Sequence, residues 1–171
     1  MVVVVVGAMM AVAVPKFRIS AETEVQLAGM QMAQDIDLTR TRALSTRSAS
    51  RVAFNASGRN YTGYLDNDDN GTIAESQAER EALRGFATRT LPTRVQFGRG
   101  TATAIPDDGG SGAITLPGSR VEFDSRGLTT PMGTGGVIYL RHEVKATAVT
   151  AIAVSPAGSI RLWTWRNGAW E

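Results

Sequence analysis

The sequence predicts an α+β protein with one long, kinked N-terminal helix and a C-terminal antiparallel β domain packed on the second half of that helix. Three observations predict this fold. The chain opens with an apolar run, continues with an amphipathic helical pattern, and ends with many short strand-like segments separated by turns. Since strands follow strands without intervening helices, the sheet is expected to be antiparallel. The expected divisions are residues 1–20, 21–51 and 52–171.

Composition narrows the range of function. The chain has 171 residues, which is enough for one domain with a sizeable core. The formal net charge is only +2, so no strong overall field attracts nucleic acid or acidic lipid. The sequence contains no cysteine, which excludes disulfides, thiol catalysis and thiolate metal sites.

The first fourteen residues are uncharged and lead into Pro15. A helix of that length spans about 21 Å, whereas the hydrocarbon core of a bilayer is about 30 Å thick. A signal peptide would need a basic start, which is missing. A buried core helix is disfavoured because Val2–Val6 leaves no face for water. We therefore expect a membrane helix that begins upstream of Met1. This apolar anchor consists of Val2, Val3, Val4, Val5, Val6, Gly7, Val12, Val14 and Pro15.

The next segment has the periodicity of an amphipathic helix, with Ser20 as a plausible N-cap. Together with the anchor it would form a kinked helix of roughly 75 Å. Arg40, Arg47 and Arg51 fall on another face, either as exposed side chains, some paired with Asp37 or with a neighbouring subunit, or as a basic strip. The expected buried stripe consists of Val25, Ala28, Met32, Ile36, Thr39 and Ala43.

The rest of the chain alternates strand and turn signals. Gly98–Gly112 and Thr129–Gly136 are predicted to be mobile loops, and "AESQAEREALRGF" is predicted to add a short helical turn. "SPAGS" is predicted to be a hairpin turn. The predicted strands are Val52–Phe54, Tyr61–Leu65, Val95–Phe97, Ile114–Leu116, Val121–Phe123, Val137–Leu140, Thr147–Val154 and Ile160–Trp165.

The stretch "DNDDNG" at residues 66–71 has two interpretations. Oxygen-bearing side chains at alternate positions followed by glycine are typical of the start of an EF-hand loop. The closing glutamate of such a loop is replaced by Gln77, and no flanking pair of helices is evident. Asp, Asn and Gly are also ordinary turn residues. The sequence favours a plain turn and no metal site.

Several motifs together resemble a known family. "AVAVPKF" followed by "DLTRTRALSTRSASRVAF" resembles a type IV pilin-like protein, most of all the H-type minor pseudopilins of type II secretion (GspH) and the FimT minor pilins. "YLDNDDNG", "VEFDSRGL", "VIYL" and "AIAVSPAGSIRLWTW" resemble the later segments of that family. The resemblance covers essentially the whole chain. The basic leader, the peptidase site and the "G-F-T-L-x-E"-like start of the family are missing, so the given start is expected to be truncated.

The resemblance implies a structural subunit of a bacterial pseudopilus or pilus. Such a subunit is held in the inner membrane by a single-pass helix, carries its head in the periplasm or on an extracellular filament, and undergoes prepilin methylation. Its implied partners are other pilins, bound through the N-terminal helix. No cofactor and no small-molecule substrate are implied. The expected role is filament priming or a place at the tip, in protein secretion.

An alternative is a minor pilin that binds DNA for uptake in natural transformation. Some FimT-like proteins use a glycine-arginine-x-arginine motif near the C-terminus, whereas here Gly158–Arg161 lacks the first arginine. Strand periodicity places Arg161 on the same face as Trp163 and Trp165, and Arg166 completes the candidate DNA-binding set. Exposed, this set could stack on bases and neutralise phosphate. Otherwise the tryptophans seal a core against the helix.

Nothing in the sequence favours an enzyme. The single histidine, His142, lies between Arg141 and Glu143 in a strand-like segment. Ser155 lies in a turn without a nucleophile elbow. "MGTGG" at residues 132–136 lacks the lysine and following helix of a phosphate-binding loop. We therefore expect no catalytic residues.

Overall fold

The computed structural model describes residues 20–106 and 108–171. It contains two helices and two antiparallel sheets, which confirms the predicted α+β fold. The helices are α1 (Ala21–Thr46) and α2 (Gln77–Ala82). The strands are β1 (Ser50–Asn55), β2 (Asn60–Leu65), β3 (Thr88–Thr90), β4 (Val95–Phe97), β5 (Arg120–Phe123), β6 (Gly136–His142), β7 (Val149–Val154), β8 (Ile160–Arg166) and β9 (Ala169–Trp170).

Helix α1 begins where the sequence predicted. The Ser20 hydroxyl accepts a hydrogen bond from the backbone N–H of Thr23, so Ser20 is the N-cap. The predicted stripe is buried along its whole length, and Val25, Met32 and Ile36 have no exposed surface. The apolar anchor and the kink at Pro15 lie outside the described residues.

Helix α1 ends at Thr46, earlier than the predicted end near Arg51. Arg47 adopts a left-handed conformation with a φ of 59°, which stops the helix. The chain then turns back, and the buried Ser50 hydroxyl donates to the carbonyl of Thr39 at 3.0 Å. Arg51 therefore lies on β1 and not on the helix.

The strands form a four-stranded sheet in the order β3-β2-β1-β5 and a five-stranded sheet in the order β4-β6-β7-β8-β9. Helix α1 packs against both sheets and joins their inner faces into one apolar core. One predicted strand is wrong, and two strands were missed. Residues 114–116 form only an isolated bridge between Ile114 and Ile138, and the short edge strands β3 and β9 were not predicted.

One glycine sets how closely the helix approaches the five-stranded sheet. A Cβ atom on Gly29 would lie 2.6 Å from Thr150 Cγ2 on β7 and 3.2 Å from Leu162 Cδ1 on β8. No side chain larger than hydrogen fits there without moving these neighbours. Gly29 thus allows the middle of α1 to rest directly on β7 and β8.

Candidate functional site

The apolar anchor cannot be placed, since it lies outside the described residues. Within residues 20–106 and 108–171, neither helix combines the length and apolar character that crossing a membrane requires. The described part of the chain, residues 20–106 and 108–171, is called the head below. It begins with the first turn of α1, which we call the neck.

Two side-chain contacts fix the neck to the connection between β6 and β7. Lys145 forms an ion pair with Glu22, and this hydrogen bond lowers the pKa of the glutamate. His142 is buried, and its Nδ1 accepts hydrogen bonds from the backbone N–H groups of Val144 and Lys145. Its Nε2 lies 3.5 Å from Glu24. The histidine is thus a structural link between turn and helix.

A buried ion pair ties the middle of α1 to the four-stranded sheet. Asp35 is 3% exposed and accepts hydrogen bonds from Arg89 Nε at 2.5 Å and from the Tyr61 hydroxyl at 2.7 Å. Burial together with the Asp35 carboxylate raises the pKa of Tyr61 far above its ordinary value. The aspartate raises the pKa of Arg89 as well. Asp35 thus ties helix α1 to Tyr61 on β2 and to Arg89 on β3.

A second aspartate, tyrosine and arginine hold the described residues of the segment 98–112, which are 98–106 and 108–112, across the outer face of the five-stranded sheet. The Tyr139 hydroxyl donates to Asp108 Oδ2 at 2.5 Å and accepts from the backbone N–H of Ile105 at 3.1 Å. Arg99 pairs with Asp108 at 3.0 Å, and its guanidinium lies 4.4 Å from the centre of the Tyr139 ring. Burial and the Asp108 hydrogen bond raise the pKa of Tyr139 to about 12. The described residues of the segment form no helix or strand and are tied to the sheet, while the mobility expected from the sequence stays a prediction.

The candidate DNA-binding residues divide between two faces of β8. Arg161, Trp163 and Trp165 lie on the outer face, as the alternation predicted, and the Arg161 guanidinium lies 5.8 Å from the Trp163 ring centre. Strand alternation puts Arg166 on the opposite face, but Arg166 and Trp165 line one cavity together with the neck residue Glu22.

The tryptophans do not seal a core against the helix. They form a second apolar cluster on the outer face of the five-stranded sheet, together with Tyr139 and Ala151. Trp170 packs edge-on against Trp165 at 5.1 Å, and its indole N–H donates to the carbonyl of Thr103. Sequence reasoning missed this cluster because the segment that covers it has no regular pattern.

An open groove of about 870 Å³ runs beside this cluster. Its walls include Asp108, Thr115, Val154, Arg161 and Trp163. Asp108 is already neutralised by Arg99. Arg161 is exposed and forms no ion pair with any of the described residues. The groove therefore presents one available positive charge next to a half-buried indole ring.

The alternative of a basic strip formed by Arg40, Arg47 and Arg51 is wrong, and the preferred prediction of exposed helix arginines is wrong for Arg51. Arg51 is 8% exposed on β1, where it pairs with Glu75 at 2.9 Å and with Glu122 at 2.7 Å. Arg40 donates to the carbonyl of Gly127 at 2.9 Å, and Arg47 forms the helix C-cap. Arg51 and Arg40 thus act as separate internal links, whereas Arg47 is exposed and only ends the helix.

The "DNDDNG" stretch forms a compact loop between β2 and α2. Asp66 Oδ2 accepts from the backbone N–H of Gly71 at 2.9 Å, and Asn70 Oδ1 accepts from the backbone N–H of Thr72 at 2.8 Å. No cluster of three His, Cys, Asp or Glu side chains suited to a metal occurs in residues 20–106 and 108–171. Helix α2, predicted as a helical turn, follows with a capping box between Ser76 and Glu79.

Comparison with solved structures identifies the fold. The minor pseudopilin EpsH of the Vibrio cholerae type 2 secretion system matches with a TM-score of 0.55 and 13% identity, covering 82% of this chain and 97% of that one. A second EpsH structure matches with a TM-score of 0.53 and 15% identity, covering 86% and 100%. The type IV minor pilin FimU of Pseudomonas aeruginosa matches with a TM-score of 0.52 and 16% identity, covering 81% and 87%.

Sequence comparison alone finds no counterpart. No protein-family model matches the chain, and no curated protein sequence matches it either. At 13% to 16% identity, the shared feature is the path of the backbone. The chain therefore has the type IV pilin-like fold of the minor pseudopilins and minor pilins.

Proposed function

We propose that the protein is a minor pseudopilin or minor pilin, a structural subunit of a periplasmic type II secretion pseudopilus or of a type IV pilus. It would act in filament priming or at the tip, for protein secretion. The observation that carries the proposal is the arrangement of the neck. The apolar anchor, residues 1–15, is followed in the sequence by residues 16–19, and helix α1, which begins after Ser20, is fixed to the head at Glu22, Glu24 and Asp35.

The proposed mechanism is packing, without an active site, cofactor or small-molecule substrate. Before assembly, residues 1–15 would lie in the inner membrane, where an all-round apolar helix pairs its own backbone groups. After assembly, the same segment would pack against the corresponding helices of other pilins. The head would remain in the periplasm or on the filament surface in both states.

A patch on α1 supports contact with other subunits. Leu27 is 53% exposed and Met30 is 42% exposed, and their spacing of three residues places them on one side of the helix. Two large apolar side chains beside the entry of the anchor favour a protein partner. The proposal places neighbouring subunits against this side.

Site-specific photocrosslinking tests the proposal. A photoreactive residue is introduced at Leu27 or Met30 of the full chain, which is expressed in its native bacterium and irradiated in intact cells. We expect crosslinks to other pilin-like subunits in the membrane or filament fraction. The matched control is Met132, which is 78% exposed on the loop between β5 and β6. Equal yields at Leu27 and Met132, or no crosslinked pilin at all, would contradict the proposal.

A DNA-binding minor pilin for natural transformation is the second candidate. It is supported by the exposed guanidinium of Arg161 beside the Trp163 ring, because an aromatic ring and a cation together suit an unpaired base and its phosphate. The full chain in non-ionic detergent is titrated with single-stranded DNA at two salt concentrations. Salt-sensitive binding that Arg161→Ala weakens would support this candidate. Absence of salt-sensitive binding would remove it.

A further inference from the structure

The strongest unexplained feature of the head is one carboxylate oxygen in the loop between β2 and α2. Asp66 is 3% exposed, and its Oδ2 accepts from the backbone N–H of Gly71. Its Oδ1 has no accessible surface and no hydrogen-bond donor among the described residues. A buried anionic oxygen without a partner is unfavourable, so it is normally matched by a donor, a water molecule or a cation.

The residues that follow Asp66 supply further oxygen atoms at regular spacing. Asp68 and Asn70 occupy the alternate positions, Gly71 makes the tight turn with a φ of 78°, and Thr72 presents its main-chain carbonyl next. Carboxylate, amide and main-chain oxygens in this order are the first ligands of a calcium loop. Of these four candidate ligands, only Asp66 and Asp68 are carboxylates. A search for three clustered His, Cys, Asp or Glu side chains therefore does not find this loop in the described part of the chain.

The loop is also held firmly at its far end. Ile73 is buried, and its carbonyl accepts a hydrogen bond from Arg51 Nη1 at 2.9 Å. Asp66 and Ile73 thus fix both ends of the loop to the head. Asp68 and Asn70 are exposed and bonded only within the loop, so their side chains can rotate toward an ion.

We propose that residues 66–72 bind one Ca²⁺ ion, with Asp66 Oδ1 as the buried ligand and with Asp68, Asn70 and the Thr72 carbonyl as the other protein ligands. Water completes the six to eight oxygens that Ca²⁺ takes. Gln77 stands where a full calcium loop has a bidentate glutamate, so the affinity is low, with a Kd of about 10⁻⁴ to 10⁻³ M. The sequence alone favoured a plain turn; the buried Oδ1 is the observation that changes this preference.

Calorimetric titration of the full chain in non-ionic detergent with CaCl₂, in the presence of excess MgCl₂, tests the proposal. We expect one saturable site. Asp68→Asn removes a charged ligand from an exposed position and is expected to weaken Ca²⁺ binding by about tenfold or more. Asp69→Asn is the matched control, because it removes the same charge from the same loop at a position between the alternate ligands. It is expected to keep the affinity within about threefold.

A second variant tests the buried ligand. Asp66→Asn keeps an oxygen that can accept from Gly71 but replaces the charged Oδ1, and it is expected to abolish the rise in melting temperature that CaCl₂ causes. Absence of a saturable Ca²⁺ site in the unsubstituted protein would overturn the proposal. Equal weakening by Asp68→Asn and Asp69→Asn would also overturn it, because binding would then be diffuse attraction to the acidic loop.

Discussion

Asp35, in the middle of the long helix, forms an ion pair of 2.5 Å with Arg89 on the edge strand β3. The aspartate side chain is 5% exposed, whereas that of the arginine is 41% exposed. The two partners therefore differ in what they lose when the pair is broken. Arg89 can return to water, but the Tyr61 hydroxyl, which also donates to Asp35, remains buried.

The first prediction follows from this asymmetry. Asp35→Ala is expected to lower the free energy of unfolding by about 1–3 kcal/mol, because the buried Tyr61 hydroxyl loses its acceptor. Denaturant unfolding of the full chain in detergent measures this change. Asp37→Ala, at an exposed position on the same helix, is the control and is expected to change stability by less than about 0.5 kcal/mol. Equal losses in the two variants would show that the contacts of Asp35 contribute no more to stability than an exposed position of the helix.

The second prediction concerns the close contact at Gly29. Gly29→Val is expected to destabilise the protein by about 1–3 kcal/mol, since the added atoms would overlap Thr150 and Leu162. The same unfolding assay measures the loss. Gln34→Val places an equally β-branched residue at an exposed position of α1 and is expected to cost only about 0.5 kcal/mol. A Gly29→Val protein as stable as the control would argue against direct contact between helix and sheet.

The third prediction concerns the pH dependence of stability at helix α2. Burial of Glu79 raises the pKa of its carboxyl, but backbone N–H donors of Ser76 and Ala74 outweigh burial and lower it below its ordinary value. This stabilisation is complete above the unfolded pKa of about 4.3 and is lost as the pH falls through the folded pKa.

Glu79→Gln is therefore expected to cost about 1 kcal/mol at neutral pH, and the difference from the unsubstituted protein is expected to shrink at acid pH. Unfolding curves at neutral pH and well below pH 4 measure it. Glu81→Gln is the control, since that exposed side chain bonds only to Gln77. A difference that stays constant with pH would contradict the assignment.

The fourth prediction concerns the segment that covers the tryptophan cluster. Tyr139→Phe removes the hydrogen bonds to Asp108 and to the Ile105 N–H while keeping the buried ring. Residues 98–112 are expected to become more accessible to protease and to exchange their amide hydrogens faster. Tyr64→Phe is the control, because the Tyr64 hydroxyl makes no hydrogen bond with the described residues. No change in residues 98–112 would mean that other contacts hold them.

The long helix was the most predictable element, because its apolar stripe repeats with helical periodicity and every predicted stripe residue is buried. Its end was not predictable in the same way. No glycine or proline follows Thr46, and the polar run up to Arg51 is compatible with helix. The helix stops at the left-handed Arg47, and the chain then turns back into β1, which pairs with both β2 and β5, a long-range interaction that local sequence does not encode.

Strand β8 and its surroundings were also predicted only in part from the sequence. Alternation correctly placed Arg161 with Trp163 and Trp165. The predicted set also included Arg166, which the same alternation puts on the other face of β8. Alternation could not reveal what covers the tryptophans, since the cover is irregular and is held by Asp108 and Tyr139, far apart in sequence. Strands β9 and β3, which have only two and three residues, could not be predicted either. They are too short for a sequence pattern and are recognised only by their pairing with β8 and β2.

Helix α1 is attached to the sheets at three successive positions along its length. The neck is attached to the β6–β7 turn, Gly29 contacts β7 and β8, and Asp35 pairs with Arg89 on β3. Tension applied to the chain ahead of Ser20 is thus shared among several strands in both sheets. A force applied at Ser20 should therefore move the head as one piece, without separating any single hairpin from the rest of the fold.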